Sequence, residues 1–91
     1  MTDLERLPGG DLVQEGLDDL ARGEDTVAAL LVSIAATRLR AGGLTVPRAL
    51  PDAEHRLYEK LAHGDPDSAH SRYNALLRRL VSFESALECV R

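Results

Sequence analysis

The residues best suited to chemistry are three histidines, the acids and bases spaced around them, and a single cysteine. His55, Glu59 and His63 recur at i, i+4 and i+8, a spacing with which adjacent helical turns can hold a metal ion. They fall roughly opposite Leu57, on the side of their helix that faces water, and the sequence fixes no further ligand. Neither a metal nor another cofactor is expected. His70, Asn74 and Arg78 repeat the same interval within "AHSRYNALLRR". An imidazole, an amide and a guanidinium along one helix flank can grip a phosphate or carboxylate, so these three form the candidate anion site. A polar flank packed against the acidic first helix accounts for the same residues without any ligand. Cys89 has no histidine near it in sequence, and no serine stands in a nucleophile elbow or a phosphate loop, so no catalytic residue is assigned.

Arg48 and His55, and again Arg56 and His63, are separated by six residues. That spacing resembles the motif of the HEPN helical nucleases, in which an Arg and a polar residue precede a His by a few positions. The resemblance would imply RNA cleavage. It stops at the spacing, because Ala49 and Leu57 stand where the polar residue belongs. A helix-turn-helix reader of DNA would need a compact second helix with clustered bases or amides, and the third helical segment is followed instead by a turn and one long helix. The formal charge of −4 also argues against nucleic acid, whose non-specific binding rests on neutralising phosphates. That charge is uneven: residues 1 to 25 hold eight acids and two bases, net −6, while residues 26 to 91 hold seven acids and nine bases, net +2. An acidic outer face on the first helix explains the difference.

Helices must carry all of these residues. Sixteen Leu, six Val and one Ile, with one Phe, two Tyr and no Trp, call for an aliphatic core at helical spacing. One cysteine excludes an internal disulfide. The opening "MTDLERLPGG" lacks the basic and apolar regions of a signal peptide, and the longest apolar run is about 12 residues, short of the roughly 20 that span a bilayer, so a cytoplasmic chain without a membrane segment is expected.

Residues 1 to 10 end in "PGG" and read as a flexible lead-in to one domain over 11 to 91. The first helix spans about Asp11 to Arg22, with Asp11 as N-cap, Gly23 just beyond its end, and Gly16 set where a neighbouring backbone can approach. The second runs from Asp25 or Thr26 to the Gly42–Gly43 pair. Val27, Leu30, Leu31 and Ile34 form its large-residue face and Ala28, Val32, Ala35 and Leu39 a smaller one, so it needs neighbours in at least two directions. "GLTVPRALP" follows as a proline-containing loop that packs Leu44, Val46 and Leu50 over one end. The third helix, from about Asp52 or Ala53 to His63, turns Leu57, Tyr58 and Leu61 inward. Asp67 or Ser68 caps the fourth, whose seam of Ala69, Tyr73, Leu76, Leu80, Phe83, Leu87 and Val90 steps by fours and threes and is widened by Leu77 and Val81.

The pattern predicts an all-α four-helix antiparallel bundle with a central second helix. Val27, Leu30, Leu31, Ile34, Tyr73, Leu76, Leu80, Phe83 and Leu87 serve as core or as interface. Two charges interrupt the stripes: Arg38 projects within about 20° of Val27, and Glu84 falls between Leu77 and Leu80, placing a candidate salt bridge at one end of the bundle. Such a small domain has a thin core and often recruits a second subunit. The expectation is therefore a non-enzymatic module that pairs with itself, as a homodimer, or with a protein partner through the second and fourth helices.

Overall fold

Glycines and the hydroxyl and acid residues beside them set most of the helix ends. A computed structural model describes residues 6–89 and shows an all-helical chain in which five helices are formed. They are α1 (Gly10–Ala21), α2 (Val27–Ile34), α3 (Ala36–Ala41), α4 (Ala53–Gly64) and α5 (Ala69–Cys89). None of them is long and apolar enough to cross a membrane. Of the lead-in, residues 1–5 lie outside the described residues, as does Val90. Leu7 packs against the core, and the amide of Gly10 donates to its carbonyl at 2.9 Å.

The N-cap of α1 is Gly9 rather than Asp11. Gly9 has φ 75°, a left-handed conformation that costs glycine little, and a Cβ there would stand 2.8 Å from the Arg79 carbonyl oxygen of α5. Asp11 is thereby freed to receive Arg79 Nη2 at 3.2 Å. At the other end, Gly23 (φ 77°) donates to Leu20 O and Glu24 to Asp19 O. This pair of bonds closes the helix and satisfies its last carbonyls, which is the Schellman arrangement.

The predicted second helix is divided into α2 and α3, a correction with a local cause. Ala35 adopts φ −98°, ψ 11°, and its amide reaches back three residues to Val32 O instead of four. Ser33 is the residue responsible. Its hydroxyl donates to Ala29 O at 2.8 Å, a back-bond that bends helices, and accepts from the amide of Leu50 at 2.9 Å in the proline loop. The loop thus donates a hydrogen bond to the rod it crosses. Arg40 Nη2 donates to Val46 O, and Val46 is buried while Leu44 and Leu50 pack against the core.

Helix α2 is the middle of the molecule and contacts α1, α4 and α5. Every residue from Ala28 to Val32 is buried, so its small face and the middle of its large face are covered within one chain. Gly16 of α1 makes the closest of these approaches possible: a Cβ there would run into Ala28 O and Val32 Cγ2. Leu30, Leu31, Leu80, Phe83 and Leu87 are buried, while Val27, Ile34, Tyr73 and Leu76 are half-buried and packed on the same core. Leu57 and Leu61 of α4 point inward. Tyr58, expected beside them, is 40% exposed and meets Tyr73 edge to face across 5.6 Å.

The turn before α5 is organised by Asp65. Its carboxylate accepts from the Asp67 amide at 3.2 Å and the Ser68 hydroxyl at 2.8 Å, and Ser68 O accepts the Arg72 amide at 2.9 Å. The 21 residues of α5 then span about 31 Å at 1.5 Å per residue, most of the 38 Å long axis of the molecule.

Candidate functional site

Three polar constellations stand out, and they differ in how much of their bonding is closed within the chain. The first surrounds Asp19, the only polar or charged residue among those described that is buried. Thr26 Oγ1 donates to its carboxylate at 2.5 Å, and Arg22 Nη2 donates to the other oxygen. Thr26 Oγ1 also accepts the Ala29 amide at 3.2 Å, which makes it the N-cap of α2. The end of α1 is in this way tied to the start of α2. Arg22 extends the set to Glu24 at 3.4 Å, and Arg56 of α4 reaches Asp25 at 3.3 Å. Sequence reasoning gave the first helix an acidic outer face and did not single out Asp19. Its projection only about 20° from Leu12, at the rim of the apolar arc, was the available signal.

A second constellation lies where the α2–α3 joint faces α5. Arg38 Nη1 is 3.1 Å from Glu84 Oε2, with the Arg38 side chain 76% exposed and Glu84 only 15%. The structure therefore brings these two together, the long arginine reaching over a carboxylate that is mostly covered. They border a groove lined also by Ile34, Thr37, Leu77 and Val81. Val81 is 54% exposed, the largest exposure among the large apolar side chains described.

The third is the polar flank of α5. Asn74 Nδ2 lies 3.1 Å from His70 Nε2, and Arg78 Nε donates to the Asn74 carbonyl at 3.4 Å. His70, Asn74 and Arg78 do share a flank, but they bond to one another along it. His70 and Arg78 are exposed, and no deep cleft encloses them.

The remaining chemistry-bearing residues are dispersed. His55 meets Glu59 at 2.9 Å on the exposed side of α4, and His63 is exposed near its end. Arg56 is engaged by Asp25 and the Pro51 carbonyl, while Arg48 lies in the exposed loop beside Pro47. Among the described residues no three His, Cys, Asp or Glu side chains are grouped so that they could hold a metal ion, and no buried side-chain nitrogen or oxygen lacks a hydrogen-bond partner. Cys89 is exposed.

Burial, with a smaller contribution from the Glu54 carboxylate, pushes the Tyr73 phenol above its usual value of 10.0. Tyr73 thus belongs to the packed side of α5, next to Tyr58, and not to its polar flank. No family model, curated protein or solved structure matches this chain. The arrangement of its own side chains is what a functional reading has to rest on. The groove beside α5 combines apolar surface open to water with charges at its rim, and the same Leu77 and Val81 also adjoin Asn74 and Arg78 of the polar flank.

Proposed function

We propose that the protein is a small, non-enzymatic, cytoplasmic interaction module that works by pairing with a second copy of itself. The observation that carries this reading is the open strip formed by Leu77 and Val81 of α5 next to Ile34 of α2, with Val81 more than half exposed in an otherwise well-covered aliphatic core. An aliphatic side chain left in water beside a half-covered ion pair is the kind of surface that a partner stabilises by removing it from solvent. In this reading α2 and α3 together act as one rod of a four-membered antiparallel bundle with α1, α4 and α5.

The contact is narrower than the sequence suggests. Helix α2 is already jacketed by its own chain, so it offers no broad apolar face, and the pairing surface falls on the outer side of α5 and the rim of α3. Sedimentation or light scattering over about 5 to 500 µM tests the reading, since self-association is concentration-dependent by mass action. The expected result is a weight-average mass that rises from that of one chain toward that of two. A single-chain mass throughout the range overturns it.

A further inference from the structure

Helix α5 carries a second stripe beside the one buried in the core. His70, Asn74, Leu77, Val81, Glu84 and Glu88 recur in steps of four, three, four, three and four, the spacing of a coiled-coil seam. None of them is fully buried in the chain. Their order is informative: two donors come first, two aliphatic residues occupy the middle, and two acids come last. Against a copy running in the same direction, Glu84 and Glu88 meet Glu84 and Glu88. Turned end for end, the stripe is complementary to itself in every layer.

We infer that two copies of this chain pair antiparallel through the outer faces of their α5 helices, about a dyad that passes midway between Leu77 and Val81. This inference rests on the self-association reading and adds its face, direction and register. Residues whose numbers sum to 158 then share a layer, which matches seam positions a and d across the pair, as antiparallel helices require. Leu77 of each copy packs on Val81 of the other, giving two adjacent apolar layers at the centre.

The flanking layers pair donors with acceptors. Asn74 has two amide hydrogens, of which one is directed at His70 of its own chain, leaving the other for Glu84 of the second copy. Glu84 accepts Arg38 on Oε2 and keeps its other oxygen for that amide. In the outermost layers His70 of one copy meets Glu88 of the other. Among the described residues Glu88 forms no ion pair, although its helix ends in negative carbonyl dipoles that an acid does not favour. With its Nε2 accepting from Asn74, the His70 imidazole of a second copy has its Nδ1–H to donate to this carboxylate, which relieves that arrangement. The layers from 70 to 88 cover about 27 Å of helix. Only four aliphatic side chains lie at the centre, so the pairing sits at the weak, exchangeable end of specific interfaces.

The native Cys89 supplies the test. It is exposed and accepts a spin label without any substitution. Cys89 lies ten residues past the dyad, so the two labels are separated by about 30 Å along the axis of an antiparallel pair, while a parallel pair brings them to within about 15 Å. A dipolar distance of about 30 Å, together with dimerisation weakened roughly 100-fold by Val81→Glu, supports the inference. Unchanged helical circular dichroism checks that Val81→Glu still folds. Glu88→Lys weakens dimerisation by about threefold, and adding His70→Glu to the same chain restores it. A dimer that persists unchanged in Val81→Glu, or labels within about 15 Å, overturns this pairing but leaves self-association standing. A wild-type chain that stays monomeric overturns both.

Discussion

Charge interrupts an apolar stripe at two places in this molecule, and the two are finished in opposite ways. At the joint between α1 and α2, Asp19 is turned inward and is met by the Thr26 hydroxyl and the Arg22 guanidinium of its own chain. At the outer side of α5, Glu84 is met among the described residues by Arg38 alone, and Val81 beside it stays open to water. The first arrangement is complete: its acceptors, its donors and the helix cap it supports are all supplied by residues 19 to 29. The second keeps unused hydrogen-bonding capacity and unused apolar area together. A buried acid in a closed set acts on stability and alignment, whereas a half-covered acid beside an exposed aliphatic is a place where another surface can still gain.

The comparison breaks most sharply at Gly16. A side chain there must displace the Ala28 carbonyl and the Val32 methyl, and backbone cannot move aside as a flexible side chain can. Gly16→Val is expected to destabilise the fold by about 4 kcal/mol or more, read as a lowered urea midpoint or a failure to fold. Removing apolar atoms from the other region, by Val81→Ser, is expected to change monomer stability by less than about 0.5 kcal/mol, because most of that side chain is already wet. Comparable losses at the two sites would mean that α5 is covered in a way its exposure does not show.

A smaller effect is expected at Asp19. Asp19→Ala leaves the half-buried Thr26 hydroxyl without its acceptor, while the exposed Arg22 keeps Glu24 and water, at a cost of about 1 to 2 kcal/mol in urea unfolding. Thr26→Val removes the cap as well as the bond and costs about 1 to 2 kcal/mol. The two losses combine to less than their sum, because both remove the same bond. Additive losses would show that the carboxylate and the cap act independently.

What was legible in the sequence was local. Gly23 closes α1, and Gly16 admits α2, because each needs only the missing Cβ and its immediate neighbours. The inward stripe of α5 followed from spacing alone. Contacts between residues distant in sequence were not legible. The break at Ala35 depends on Ser33 meeting an amide 17 residues away, and the N-cap at Gly9 depends on a carbonyl of α5. Arg38 and Glu84 are an exception: the phase of each helix marked both as charges interrupting an apolar stripe, and they lie 3.1 Å apart. The apolar content of α2 suggested an interface because the sequence does not state how many sides of it one chain can cover.

Tyr73 sharpens the comparison from the boundary between the two regions. It lies on α5, as the outer stripe does, but its ring is turned toward α4 and Tyr58. Burial first, and Glu54 second, raise its phenol above 10.0, so folding favours the protonated form. The sign follows from linkage. Below about pH 10, where the phenol is neutral in both states, the folded chain keeps the full benefit; it loses that benefit as pH rises toward and through the folded value. Ultraviolet titration should therefore show phenolate absorbance developing above pH 10 that is lost in Tyr73→Phe. Stability should fall with pH above about 10 more steeply in wild type than in Tyr73→Phe. If the pH dependence of stability above pH 10 is the same in wild type and Tyr73→Phe, the Tyr73 phenol is not held by burial, and the division of α5 into a packed side and an open side does not hold.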